Sequence, residues 1–69
     1  MYALVNTMES TQDTLGRVIS THRTRSAAEQ ANVKLQRMTR RANGASSYLP
    51  TMIIKTNLKR GEWVRLIEH

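Results

Sequence analysis

Residues 26–44, SAAEQANVKLQRMTRRANG, constrain this chain more than any other stretch, because they read as one helix with both ends marked. Ser26 is followed three residues later by Glu29. That is a capping box, in which the hydroxyl accepts from the N3 amide and the carboxylate reaches back to the cap amide. Arg40 and Arg41 fall in the last turn, where cations favour the negative end of the helix dipole. Asn43-Gly44 supplies a left-handed stop. Ala28, Ala31, Leu35, Met38 and Ala42 step by three and four and predict one stripe facing a core. With alanine at three of these positions, the helix can lie close to a sheet. At about 100° per residue, Arg37 and Arg41 fall on the far side, flanked by Lys34 and Arg40, with Val33 among them.

The segments around the helix are short and rich in β-formers. YALVNTM (2–8) reads as a strand, ESTQDT (9–14) as a turn or mobile loop, and GRVISTHR (16–23) as a second strand. Two such runs joined by a polar connection predict an antiparallel hairpin. ASSYLP (45–50) is a loop ended by Pro50, which holds Leu49 extended. TMIIKT (51–56) reads as a strand, NLKRG (57–61) as a turn, and EWVRLIE (62–68) alternates as a further strand. The expectation is a single basic α+β domain over 1–69, with the order ββαββ. An antiparallel sheet of three to four strands would carry one helix across a face.

Size and composition close off several function classes. A chain of 69 residues buries only about 60% of its unfolded surface, so small scaffolds usually add disulfides, a metal or a partner. The absence of cysteine excludes disulfides and thiolate zinc sites. His22 and His69 are too few for a metal cage. What remains is a modest core, self-association or stabilisation by a partner. The acids Glu9, Asp13, Glu29, Glu62 and Glu68 are scattered and form no acid–base pair by local spacing. No serine sits in a GxSxG elbow, and the glycines are isolated and make no phosphate loop. No enzyme activity and no cofactor are expected. No apolar run approaches the ~20 residues of a membrane span. MYALVNTMES has no basic region before its apolar stretch, so no secretory signal is expected, and the lack of cysteine fits a cytoplasmic protein.

Charge is the remaining signal. Eleven Lys and Arg stand against five Asp and Glu, for a formal net charge of +6. Such a balance favours nucleic acid, an anionic membrane or an acidic protein surface. The arginine-rich composition suits phosphate and carboxylate forks. A stripe built mostly of alanine is too weak to insert into a membrane. The candidate site for nucleic acid or an acidic partner is therefore Lys34, Arg37, Arg40 and Arg41 on the helix. Arg17, Arg23 and Arg25 near the hairpin end and Lys59 and Arg60 in the last turn add to it. The competing reading is an ordinary solvated face. Sheet platforms for bases need two or three exposed aromatics. Tyr2 and Trp63 can meet on one sheet face, but a lone Trp beside Val64 and Leu66 reads as packing. Tyr48-Leu49-Pro50 either covers the helix end or presents an anchor for a protein partner. No helix-turn-helix, zinc-finger or RRM signature is visible.

In size, single-domain economy, lack of motif and arginine-rich surface, the chain resembles the small phage-encoded proteins that bind host RNA polymerase and redirect or inhibit transcription. The likeness is one of style over the whole chain, and no functional residue is carried over from it. It implies a regulator positioned by a protein contact, with RNA polymerase as partner. The termini, Tyr48-Leu49 and the Arg37, Arg40 and Arg41 cluster would be the contact elements. Two further expectations stand beside it: direct, largely sequence-tolerant binding of DNA or RNA, and assembly through an exposed sheet edge.

Overall fold

In the computed structural model, residues 1–66 are described; the predicted last residues of the final strand, Ile67 and Glu68, and also His69, lie outside them. The chain runs β1 (Tyr2–Asn6), a 3-10 turn (Thr7–Glu9), β2 (Thr14–His22), α1 (Arg25–Asn43), β3 (Thr51–Lys55) and β4 (Trp63–Arg65). The strands form one antiparallel sheet in the order β3-β1-β2-β4, with the helix packed on it. The predicted ββαββ order and α+β class hold.

Register assigns each side chain to a face, because directly paired residues of antiparallel strands point the same way and successive residues alternate. Tyr2, Leu4 and Asn6 of β1 share one face with Lys55, Ile53 and Thr51 of β3. Across β2 the same face carries His22, Ser20 and Arg17. This is the helix side: Thr51 Oγ1 donates to Asn32 Oδ1 of α1 at 2.7 Å. The opposite face carries Ala3 and Val5, which with Val18 form a fully buried cluster. Ala3, Leu4 and Val5 are all buried, so β1 is covered on both sides and reads as a continuous apolar run.

What covers the second face is the 56–62 connection. The sequence suggests a turn at 57–61, and one closes at its end, Glu62 N–H donating to Lys59 C=O at 3.0 Å, but β3 and β4 lie at opposite borders of the sheet and are not paired. The segment is instead a strap that crosses the sheet, and Leu58 packs against the Ala3, Val5 and Val18 cluster together with Leu15, Ile54 and Val64. The strap is fastened where Thr56 N–H donates to Met1 C=O and Gly61 N–H to Val18 C=O, both at 2.9 Å. Two bulges bend β2: Ile19 is the extra residue opposite β1 and Leu15 the extra residue opposite β4. Between them, Gly16 passes so close to β1 that a Cβ there would lie 2.0 Å from Asn6 O.

Element ends shift from the sequence reading for local reasons. The first strand stops at Asn6, whose side-chain oxygen accepts from Met8 N–H at 2.9 Å and starts the 3-10 turn. The polar 9–14 segment is ordered by its own bonds: Thr11 Oγ1 accepts from Asp13 N–H and Thr14 N–H. The helix begins two residues earlier than a Ser26 cap would place it, and its cap is Thr24, not Ser26. Thr24 is extended and its Oγ1 accepts from Ala27 N–H at 3.1 Å. The chain leaves β2 at His22, and Thr24 is the first hydroxyl able to cap; its N3 residue is Ala27, so the reciprocal carboxylate is lost. At the far end, Gly44 takes a positive φ and donates to Arg40 C=O, so the predicted stop holds.

The helix stripe is also corrected. Ala28 is buried, and Ala31 and Leu35 are partly so, but Met38 is 60% exposed and Ala42 is exposed. The packed side instead continues through Asn32, Gln36 and Thr39, which are polar. The reason is a hydrogen-bonded clamp. Gln36 Nε2 donates to Leu49 O at 2.7 Å and Leu49 N–H donates to Gln36 Oε1 at 3.0 Å. Gln36 Nε2 also donates to Asn32 Oδ1 at 3.2 Å. The clamp seats the 44–50 loop on the helix, and no buried side-chain N or O among the described residues lacks a partner.

Candidate nucleic-acid interface

The nine predicted cations separate into groups that the fold holds apart. Lys34, Arg37 and Arg41 project from the outer face of α1 with Val33, and all are exposed. These positions recur every three to four residues opposite Ala28, Leu35 and Thr39, so core packing turns them outward. A 19-residue helix is about 28 Å long. Its outer face therefore offers a straight run of positive charge whose only acid is Glu29, near the start. Arg40 turns to the flank and lines a concavity with Gln36, Ser47 and Tyr48.

Arg23 lies exposed in the link between β2 and the helix. Arg25, in the first helical turn, holds its guanidinium 6.0 Å from the centre of the Tyr2 ring. Lys59 and Arg60 belong to the strap, which crosses the sheet on the side away from the helix, so the fold does not merge them with the helix cations. Arg60 reaches the sheet border instead, where it lines a concavity with Asn6, Arg17 and Ile19.

Tyr48 is 67% exposed, while the neighbouring Leu49 is half-buried and pinned through both backbone groups by Gln36. The two residues of the predicted anchor thus divide: Leu49 is seated and Tyr48 is presented.

Trp63 lies on the edge strand β4 and not in the core. It is 40% exposed and pairs with Arg17 across the β2–β4 ladder. The Arg17 guanidinium lies over the indole, 4.4 Å from the ring centroid. Tyr2 shares that face but sits on β1 opposite His22, about 16 Å from Arg17 along the strand direction, so the two aromatics form no joint platform. The alternation Glu62-Trp63-Val64-Arg65 contained the missed signal: it puts Trp63 with Arg65, on the side opposite the core residue Val64. His22 is half-buried, and its Nε2 shares a 2.8 Å hydrogen bond with Ser20 Oγ.

Among the described residues, no helix is long and apolar enough to cross a membrane, and no group of three His, Cys, Asp or Glu could hold a metal ion. Fold and surface define a small basic α+β module whose exposed cations outnumber its acids. No protein-family model, curated protein or solved structure matches the chain.

Proposed function

We propose that this protein is a non-enzymatic basic binding module, a regulator that acts on a nucleic-acid machine and lays the outer face of α1 along a phosphate backbone. The observation that carries the reading is the exposed row Lys34, Arg37 and Arg41, which takes no part in the core and is opposed by a single acid. Arginine and lysine on phosphates release counterions, so affinity should fall with salt. Three to four contacts correspond to roughly a 40- to 150-fold loss between ~50 and ~200 mM salt. Fluorescence anisotropy with labelled duplex DNA and single-stranded RNA at those two salts tests it. Affinity that is weak at both, or indifferent to salt, overturns direct contact with nucleic acid.

A second reading, docking on RNA polymerase in the cytoplasm, is supported by Tyr48. A tyrosine presented at 67% exposure on a loop held by the Gln36 clamp is preorganised, and ordered aromatic anchors lose little entropy on binding. In that arrangement the protein contact gives position and the helix supplies non-specific attraction. Co-purification with polymerase that is lost on Tyr48→Ala, with the fold intact, is the expected result.

A further inference from the structure

The face of the sheet that carries the helix is only partly covered. Helix α1 packs on β1, β2 and β3, and its Asn32 and Gln36 bonds draw it toward β3 and the loop before it. Trp63 and Arg65 of β4 stay exposed on the same face, next to Arg17 of β2. Arg17, Trp63 and Arg65 thus form an exposed patch on the helix-bearing face of the sheet.

We infer that this patch binds single-stranded nucleic acid, an unpaired base stacking on the Arg17–Trp63 pair while Arg65 and Arg60 meet the adjoining phosphates. The inference rests on the nucleic-acid reading above and names its ligand class. Three observations carry it. The guanidinium and indole are already stacked, at 4.4 Å, and both aromatic rings and arginine planes accept bases. The surround is cationic: Arg65 shares the face and Arg60 lines the neighbouring concavity with Arg17. Of the nearby acids whose side chains are described, Glu62 falls by alternation on the Val64 side, and Asp13 lies at the outer end of the ladder, where its backbone carbonyl accepts from Leu66 N–H. A duplex hides its base faces, so a flat stacking surface of this kind gains from an unpaired strand and little from a paired one.

Trp63 is the chain's one tryptophan, so its fluorescence reports the site directly. The probes are a single-stranded oligo-dT of about ten nucleotides and a duplex of equal length, titrated at ~50 mM salt. The single strand should quench Trp63, and the duplex should not. Trp63→Leu should weaken single-strand binding by roughly ten- to a hundred-fold and leave duplex binding unchanged. Arg17→Lys keeps the charge and removes the stacking plane, so it should weaken the single strand in the same sense. If Trp63→Leu fails to fold by circular dichroism, the wild-type quench and Arg17→Lys decide. Single-strand binding without quenching, and with both variants like wild type, overturns the stacking patch while leaving the basic helix surface standing. Failure of both probes to bind removes that surface reading as well.

Discussion

Replacing Gln36 with leucine would remove the amide that holds the 44–50 loop to the helix while keeping the side chain's bulk. In the native protein Leu49 N–H and C=O both terminate on Gln36, at 3.0 and 2.7 Å. Leucine satisfies neither, and each orphaned backbone group costs about 1–3 kcal/mol where water cannot replace the bond. Leu49 is only half-buried, which moves the estimate toward the lower end, and the added apolar surface returns a little. A net loss of about 2–4 kcal/mol is expected. A chain of 69 residues has a total stability on the order of 3–10 kcal/mol, so the variant should sit near the edge of folding. Urea denaturation followed by circular dichroism measures it, with Trp63 fluorescence as a second probe. The same Gln-to-Leu change at the exposed Gln30 is the control and should stay within ~0.5 kcal/mol. A Gln36→Leu protein as stable as the Gln30→Leu protein would refute the clamp as a source of stability.

The cap assignment predicts that Thr24→Ala lowers stability by about 1 kcal/mol while Ser26→Ala changes it by less than ~0.5 kcal/mol; thermal melts in the reverse order would restore Ser26 as the cap. At Gly16, alanine would drive a Cβ into Asn6 O, and overpacking with backbone strain should cost about 3 kcal/mol or more, a fall in Tm of more than about 12 °C. A Gly16→Ala protein with native Tm would show that the β1–β2 approach is looser than described. Lys34, Arg37 and Arg41 changed together to Ala should leave the melt nearly unchanged and reduce the salt slope of duplex binding by about 2.7, an effect Arg40→Ala alone should not approach; equal slopes would move the phosphate contact elsewhere.

How much of this was legible in the sequence depends on whether the deciding interaction was local. The helix could be read almost to its ends because a cap hydroxyl, a 3.6-residue pattern and a terminal glycine lie within one segment. Even so, Thr24 and Ser26 both qualify as caps, and the exit from β2 decides between them. The ββαββ order follows from local patterning in the same way. Strand order does not, since it rests on pairings such as Tyr2 with Lys55 and Arg17 with Trp63, which no local preference encodes. No local pattern marks Gln36, because its partner is the backbone of Leu49, a group common to all sequences. The helix cations were visible as a row, but their separation from Lys59 and Arg60 required knowing that the 56–62 segment crosses the back of the sheet. Register alone places Arg17 over Trp63.

That strap also bears on the order of assembly. The β1–β2 hairpin is local, whereas each border strand must find its place across a long stretch of chain. Once β3 has joined β1, the strap leaves β4 a closure of about eight residues instead of about forty-five. By loop-closure entropy this lowers the cost of the second pairing by roughly 1.5 kcal/mol. The two borders of the sheet, far apart in space, are therefore expected to form nearly together, each docking recruiting the other. Lengthening the strap with a flexible insert should slow refolding before it visibly weakens the native state.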